Sequence, residues 1–320
     1  MTQSDLLTLA MFHQPLGIPW QINMGSTTIN PDDIKLIVSD VDGTLLDSHH
    51  RLHPRTRSAI LHLRKTRPDL PFIIATGKPY AALAEVREEL DLSHFPCIHL
   101  NGCMVYGPGG SVMRQDALDP TVVLQIVDIL RPMNKSTYLY VQDEVFEVIK
   151  DPAGRNGRAW IDVLRGFGED VKPAPDGILD HVREGQVKVQ KVVVLADEKY
   201  IPDIRKKLSA FPPDACSQTS ALSYAIELIC STSSKELALQ TLIDSLDVTP
   251  QNVLAFGDGE NDAGMLALAG HGVAMANAMD MAKKRARYTT GTHDDGGVGM
   301  FLEEVFNIEP VTNSRNPTIN

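Results

Sequence analysis

Short apolar runs alternate with amphipathic stretches along the first third of the chain. The runs IKLIVSD (34–40), PFIIAT (71–76) and PCIHLNG (96–102) have the pattern of buried strands, and the segments between them carry apolar residues at helical spacing. Pro54 suits the first turn of the helix that follows the first run. Continuous apolar strands separated by amphipathic helices predict a parallel sheet that helices cover on both faces.

The middle of the chain has a different rhythm. The segment STYLYVQDEVFEVI (136–149) alternates apolar and polar residues, which predicts an antiparallel hairpin with Asp143 and Glu144 at its turn. Strand–helix alternation then returns towards the C-terminus. The chain is therefore predicted to be α/β, with a doubly wound parallel-sheet core interrupted by an α+β insertion. The predicted boundaries are residues 1–30 for an N-terminal extension, 31–112 and 231–308 for the core, 113–230 for the insertion and 309–320 for a tail.

Composition limits the partners and the compartment. The 320 residues are 43% hydrophobic, which supplies an ample core, and the net charge of −11 argues against a broad nucleic-acid or anionic-membrane surface. No apolar stretch reaches the roughly 20 residues that span a bilayer. The cysteines lack metal-binding spacing and are predicted to be free thiols in a reducing compartment, so cytoplasmic residence is predicted. These cysteines are Cys97, Cys103, Cys216 and Cys230.

Unusual polar chemistry lies at strand ends and at one helix start. It comes in four separate pieces, which are DVDGT (40–44), Thr76 with Gly77, Lys235, and FGDGENDAG (256–264). The helix that Lys235 opens is predicted to begin with a capping box of Ser233 and Glu236. Each piece alone is also compatible with a turn, a loop or a helix cap. In an open parallel sheet, however, ligands bind at the carboxyl ends of the strands, so the four pieces together predict one site.

In this order the four pieces resemble the motifs of the haloacid-dehalogenase-like (HAD) hydrolase superfamily. They are most similar to the Cof-type phosphatases, which carry a large α+β cap between the second and third motifs. The resemblance covers about Ile34 to Asn307, and its first and last motifs are the most specific. It implies a phosphatase that hydrolyses the phosphomonoester of a small, sugar-phosphate-like metabolite through an aspartyl-phosphate intermediate. The insertion at 113–230 would then be a cap domain that selects the substrate.

The resemblance also implies roles for individual residues. Asp40 would be the nucleophile and Asp42 the general acid and base. The Mg²⁺ ligands would be Asp40 and Asp258 through their side chains and Asp42 through its backbone carbonyl, with Asp262 as a further ligand or a nearby acid. The phosphate-binding residues would be Thr76, Gly77, Lys235 and Asn261. Without a cation these carboxylates would raise one another's pKa values, whereas Mg²⁺ typically bridges carboxylates to a substrate phosphate.

The sequence departs from the family pattern at two places. Lys78 stands where the family usually has Arg, so a bidentate contact would be lost. Cys103 follows Asn101 and Gly102 where Ala is common, and Asn101 is predicted to be structural or to act on the site indirectly. Neither departure replaces any of the acids of the first and last motifs.

Two alternatives to a phosphatase are a phosphomutase and a catalytically quiet phosphate-ligand binding protein. No residue demonstrates the exclusion of water that a mutase needs, and the presence of every acid and of Lys235 argues against the quiet protein. The predicted partner is a small phosphorylated metabolite, with no nucleic acid and no membrane. His49, His50 and His53 are predicted to lie in a loop and at a helix start, and 293–297 to be a loop before a helix.

Overall fold

The structure is a computed structural model that describes residues 29–310, so the predicted extension and tail lie almost wholly outside the described residues. Its strands are β1 (Leu36–Ser39), β2 (Phe72–Ile74), β3 (Cys97–His99), β4 (Met104–Tyr106), β5 (Val112–Gln115), β6 (Ser136–Val141), β7 (Glu144–Ile149), β8 (Val171–Pro173), β9 (Lys191–Leu195), β10 (Ser217–Thr219), β11 (Ala225–Ile229), β12 (Val253–Gly257), β13 (His271–Ala274) and β14 (Tyr288–Thr289). Its helices are α1 (Pro54–Thr66), α2 (Ala84–Glu89), α3 (Pro120–Leu130), α4 (Trp160–Gly166), α5 (Ile178–Arg183), α6 (Ile201–Leu208), α7 (Lys235–Ser245), α8 (Ala263–Leu268), α9 (Asp280–Arg285) and α10 (Gly297–Phe306).

Five parallel strands form the central sheet, in the order β14-β13-β12-β1-β2. Every residue of β1 and β12 is buried, which is why these strands are apolar throughout rather than alternating. Helix α1 packs against α10, and α7 packs against α8. As predicted, Pro54 is the first residue of α1, and the His53 side chain caps that helix by accepting from the Arg55 amide. The predicted α/β fold with a doubly wound parallel-sheet core is confirmed.

A short second sheet leads out of the core. Strands β3, β4 and β5 pair antiparallel, and β3 is linked to the parallel sheet by a bridge between Ala75 and Ile98. Strands β4 and β5 form a hairpin, with Gly109 and Gly110 in its connection at positive φ. The predicted start of the insertion, residue 113, lies within β5.

The third sheet is built entirely from strands of the predicted insertion, in the order β10-β11-β9-β6-β7-β8. Its strands are mostly antiparallel, and their side chains alternate between two faces. In β9, Val192 and Val194 pack with residues of α3, α5 and α6, whereas Val193 and Leu195 join the cluster that contains the core residues. One face of this sheet, called here the cap sheet, is therefore turned towards the carboxyl ends of the central strands.

The hairpin of β6 and β7 turns one residue earlier than predicted. Gln142 and Asp143 form the turn, Gln142 adopts a left-handed φ of 53°, and Glu144 already pairs with Val141. The hydrophobic alternation predicts the two strands but does not specify which polar residue takes the left-handed position. Within residues 29–310, no helix is both long enough and apolar enough to cross a membrane.

Candidate active site

The two central strands bring the acids of the first and last motifs together. Strands β1 and β12 pair in parallel with Ser39 opposite Phe256, and the Asp40 amide donates to the Phe256 carbonyl at 2.9 Å. Both chains therefore leave the sheet at the same edge, with Asp40 following one strand and Asp258 following the other. Elementary parallel pairing thus joins residues that are more than two hundred positions apart in the sequence.

Three carboxylates form a compact cluster at this edge. One carboxylate oxygen each from Asp40, Asp258 and Asp262 lie within 4.8 Å of one another. The fully buried Lys235 ammonium donates to Asp40 Oδ1 at 2.5 Å and to Asp262 Oδ1 at 2.6 Å. Burial raises the pKa of Asp40 to about 7 against the opposing effect of Lys235. Burial, with the charges of Asp40 and Asp262, also raises the pKa of Asp258 well above its usual range. The single positive charge of Lys235 thus does not balance the negative charge that three ionised carboxylates would carry.

The Asp262 carboxylate accepts hydrogen bonds from its neighbours through both oxygens. Its Oδ1 accepts from Lys235, and its Oδ2 accepts from the backbone amides of Asp258 (2.9 Å) and Gly259 (2.8 Å). Asp262 is completely buried and does not line the adjoining cavity. Both of its carboxylate oxygens are thus occupied by protein donors, which fix the turn that carries Asp258.

The turn after β1 needs glycine at position 43. Gly43 has a left-handed φ of 75°, and a Cβ there would stand 2.3 Å from Asp258 Oδ2. Asn277 Nδ2 donates to the Gly43 carbonyl at 2.8 Å and to Asp258 Oδ2 at 3.3 Å, so it joins the two acidic loops. Asn277 was not among the site residues predicted from the sequence. Its position just beyond the carboxyl end of β13 was the available signal.

Asp42 points into the cavity beside two basic groups. The Lys78 ammonium lies 2.8 Å from Asp42 Oδ1, and His50 Nδ1 lies 3.8 Å from the same oxygen. Burial opposes ionisation of Asp42, but His50 and Lys78 together hold its pKa below the usual range. His50 had been predicted only as a loop residue. It instead lines the cavity and packs edge-to-face on Phe167 of the insertion, with ring centroids 4.7 Å apart.

The second motif forms a loop with hydrogen bonds inside it and to the insertion. Within the loop, Thr76 Oγ1 accepts from the Lys78 amide at 3.1 Å. Beside it, Asn261 Nδ2 donates to Asn101 Oδ1 at 3.0 Å. The Gly77 carbonyl accepts from Lys191 of the insertion at 2.7 Å. Asn101 also donates to Glu227 of the insertion, so it links the core to the cap sheet.

The predicted capping box at α7 is wrong by one residue. Ser234 is the N-cap, and its Oγ accepts from the Leu237 amide at 3.0 Å. Ser233 donates instead to Asp116, and Glu236 is the second helical residue, one short of the position that a box requires. The shift makes Lys235 the first residue of the helix, from which its side chain reaches the carboxylates.

A cavity of about 240 Å³ lies between these strand ends and the cap sheet. The predicted site residues that line it are Asp40, Asp42, Thr76, Gly77, Asp258 and Asn261. Lys235 does not line it and reaches it only through Asp40. The predicted helix-preceding loop contributes His293, whose amide donates to Asn277 Oδ1 at 3.0 Å. The structure thus brings the four sequence pieces to one cavity, with Lys235 and Asp262 behind its wall.

His99 lies beneath the loop of residues 76–78 as a buried neutral side chain. Its Nδ1 donates to the Lys78 carbonyl at 3.0 Å, while its Nε2 is buried without a hydrogen-bond partner among the described residues. Burial lowers its pKa from 6.5 to about 3. Between pH about 3 and 6.5, His99 is therefore protonated in the unfolded chain but neutral in the folded chain. This contribution to the free energy of unfolding is complete above pH about 6.5 and is lost as the pH falls below it.

We expect His99 alone to lower the free energy of unfolding by about 1.4 kcal/mol between pH 7.5 and pH 5.5. Urea unfolding of the wild type and of His99→Asn at both pH values measures the difference, because other titrating groups cancel. His62→Asn is the matched control, since His62 is exposed on α1. Equal pH dependence in the wild type and in His99→Asn would contradict a neutral, buried His99.

A family model described as haloacid dehalogenase-like hydrolase matches residues 37–302, which is most of the chain. The chain belongs to this family. An uncharacterized hydrolase of Schizosaccharomyces pombe is 38% identical over 283 residues, covering 87% of this chain and 92% of the relative. The 5-amino-6-(5-phospho-D-ribitylamino)uracil phosphatase YitU of Bacillus subtilis is 31% identical over 286 residues, covering 85% of this chain and 98% of the relative.

A solved haloacid dehalogenase-like hydrolase from Bacteroides thetaiotaomicron superposes with a TM-score of 0.71 at 25% identity, covering 85% of this chain and 100% of that chain. The family predicted from the four motifs, and within it the likeness to Cof-type phosphatases, is confirmed. The order of the motifs carried that prediction, because each motif alone is compatible with an ordinary turn or cap.

Proposed function

We propose that this chain is a Mg²⁺-dependent phosphatase that hydrolyses a small phosphomonoester through an aspartyl-phosphate on Asp40. The observation that carries the proposal is the buried cluster of Asp40, Asp258 and Asp262 around Lys235, at the end of a cavity that the cap sheet closes. We also propose the division into a core at 31–112 and 231–308 and a substrate-selecting cap at 113–230. Cytoplasmic residence belongs to the same proposal and is supported by the four unpaired cysteines.

The donor set suits Mg²⁺, which prefers oxygen ligands. Asp40 and Asp258 would hold the ion through their carboxylates, and the Asp42 carbonyl accepts no hydrogen bond from the described residues and is available as a third ligand. Asp262 would be a nearby acid, because protein donors occupy both of its oxygens. When bound, the ion would offset the charge of the carboxylates and of the substrate phosphate, which otherwise repel one another.

The protein's own groups divide the reaction into two steps. Lys235 occupies Asp40 Oδ1 and leaves Oδ2 for attack on phosphorus, which forms an aspartyl-phosphate as the ester P–O bond breaks. Asp42 gives its proton to the departing alkoxide. In the second step Asp42 takes a proton from water as the water oxygen attacks phosphorus, and Asp40 is released. One phosphomonoester and one water thus become one alcohol and one phosphate.

The Lys78–Asp42 ion pair fits the second step directly, because the carboxylate is the form that accepts a proton from water. For the first step Asp42 must carry a proton. A phosphate dianion that enters between Lys78 and Asp42 would raise the pKa of Asp42 by charge repulsion and by drawing Lys78 away. Thr76, the Gly77 amide and Asn261 would then donate to the phosphoryl oxygens, where charge must be met by fixed donors.

The phosphate site and the cap wall together suit a small phosphorylated metabolite. The relative from Bacillus subtilis is named for a phosphorylated ribityl compound, and a ligand of that kind is one candidate for this chain. A phosphomutase would transfer phosphate within a sugar bisphosphate instead of releasing it. A quiet binding protein would retain phosphate compounds without turnover. Measured phosphate release therefore separates the three possibilities.

We expect phosphate release from p-nitrophenyl phosphate to fall at least about a hundredfold in excess EDTA and to return on adding excess Mg²⁺. The physical reason is that Asp40 cannot approach a phosphate dianion while three carboxylates share a single lysine. EDTA already loaded with Mg²⁺ is the control and should have no effect. Substantial turnover in excess free EDTA would contradict the metal requirement.

A further inference from the structure

A buried polar cluster on the cap sheet faces the cavity and has no role in the proposed chemistry. Its members are Tyr140, Glu169, Lys191 and Glu227, each no more than 9% exposed, and all four line the cavity. Buried charges are costly unless they are paired, so the pairing of each group decides what the cluster can offer to a ligand. The remaining cap-side lining is largely apolar and includes Leu164, Phe167, Val193 and Leu195.

Hydrogen bonds within the protein use the Tyr140 hydroxyl and two of the three ammonium protons of Lys191. Lys191 Nζ donates to the Gly77 carbonyl at 2.7 Å and to Glu227 Oε2 at 3.3 Å, and it lies 4.2 Å from the centroid of the Tyr140 ring. The Tyr140 hydroxyl donates to Glu169 Oε2 at 2.5 Å. The cluster thus has no free hydroxyl proton, and its one ammonium is held by the Gly77 carbonyl, by Glu227 and by the Tyr140 ring.

Two carboxylate oxygens remain. Glu169 and Glu227 each use Oε2, and the Oε1 atoms have no hydrogen-bond partner among residues 29–310. Glu227 lies against the loop of residues 76–78, because a Cβ built on Gly77 would stand 3.5 Å from Glu227 Oε2. With two carboxylates and one ammonium, the cluster also carries one excess negative charge. The cluster therefore offers a ligand two free acceptor oxygens and an excess of negative charge.

We propose that Glu169 and Glu227 form a leaving-group subsite that selects phosphate esters of hydroxyl- or amino-bearing alcohols and rejects esters with a second acidic group. This inference rests on the proposed phosphatase function and names its substrate class. Hydroxyl or amino groups along the alcohol chain would donate to the two Oε1 atoms, and the carbon skeleton would pack on the apolar side of the cavity around Phe167. A carboxylate at the same place would meet two acids and the excess negative charge of the cluster.

Paired substrates test the proposal directly. Sorbitol 6-phosphate and 6-phosphogluconate differ only in one terminal group, which is a hydroxymethyl group in the first and a carboxylate in the second. We expect kcat/KM for sorbitol 6-phosphate to exceed that for 6-phosphogluconate by about tenfold or more. It should also exceed that for n-hexyl phosphate, which lacks donors, by a similar factor. An equal or reversed preference in either pair would overturn the subsite.

Replacing the carboxylates then tests the residues themselves. Glu169→Gln keeps an acceptor for Tyr140 but turns the second oxygen into a donor and removes one charge. It should lower the preference for sorbitol 6-phosphate over 6-phosphogluconate by about fivefold to tenfold. Glu227→Gln is a second, independent variant with the same expected direction. An unchanged preference in both correctly folded variants would overturn the assignment.

Glu147→Gln is a matched control from the same sheet. Glu147 accepts from the Tyr138 hydroxyl at 2.9 Å, as Glu169 does from Tyr140, but neither Glu147 nor Tyr138 lines the cavity. The substrate preference should stay the same in this variant, and an equal shift would point to a general effect of the sheet. Absence of any phosphate release from p-nitrophenyl phosphate with Mg²⁺ would contradict the phosphatase itself. Release with no preference would contradict only the subsite.

Discussion

Asp40→Asn is expected to lower kcat for p-nitrophenyl phosphate by about 10⁴-fold or more while the protein remains folded. The substitution removes the proposed nucleophile, and the amide is a far poorer one. It should not weaken folding, because burial already raises the pKa of Asp40 to about 7 and Asn avoids that buried charge. Asn Oδ1 can still accept from Lys235, which also keeps Asp262 as a partner. Phosphate release and thermal unfolding, measured on the same preparation, give both quantities.

The cap supplies a matched control for Asp40→Asn. Asp151 is also a buried carboxylate paired with a lysine, since Lys135 Nζ donates to it at 2.9 Å, but it does not line the cavity. Asp151→Asn should therefore keep wild-type kcat even if it lowers the melting temperature. A folded Asp40→Asn protein with a tenth of the wild-type rate would remove Asp40 as the nucleophile.

Asp42→Asn should distinguish between leaving groups. An alkoxide is a poor leaving group and needs a proton as the P–O bond breaks, so an alkyl phosphate should lose about 10²–10⁴-fold in rate. p-Nitrophenolate leaves without a proton, so its first step should suffer less. The second step still lacks its base, so phosphoenzyme should accumulate. A burst of p-nitrophenol and added phosphate mass on the peptide that contains Asp40 would report it.

Asp47→Asn is the control for this leaving-group test. Asp47 lines the same cavity, but its Oδ1 accepts from the backbone amides of His49 and Arg51 and is not directed at a reacting atom. Its replacement should change both leaving groups by the same factor, without a burst. If Asp42→Asn gave equal losses for both substrates, no burst and a collapse in Mg²⁺ affinity, its side chain would be a metal ligand instead.

Predictions that rest on local patterns of the sequence were correct to within about one residue, whereas residues placed by contacts between distant segments were not predicted. The strands at 34–40 and 71–76 were predicted because a fully buried parallel strand must be apolar along its whole length. The hairpin of β6 and β7 was predicted by alternation, but its turn was placed one residue late. The helix cap was likewise assigned to Ser233 instead of Ser234, because two adjacent serines have the same local preference.

Residues that act through distant contacts carried little signal. His50 and Asn277 reach the acids only because two loops meet at the edge of the sheet. Glu169 and Glu227 sit in segments with no motif, and their place on the cavity wall depends on how the cap sheet covers the core. Nothing in the local sequence separates Glu169 from Glu147, although each accepts from a tyrosine of β6.

By itself, the sequence determined the fold class, the family and the acids at the strand ends, because apolar periodicity and short motifs are local properties of the chain. The tertiary structure decided which partner each charge takes. Lys235 donates to Asp40 and Asp262 from behind the cavity, and Lys191 donates to the Gly77 carbonyl and to Glu227. Such pairings are set by distances between segments that only folding brings together, so the character of the cavity wall follows from packing and not from spacing along the chain.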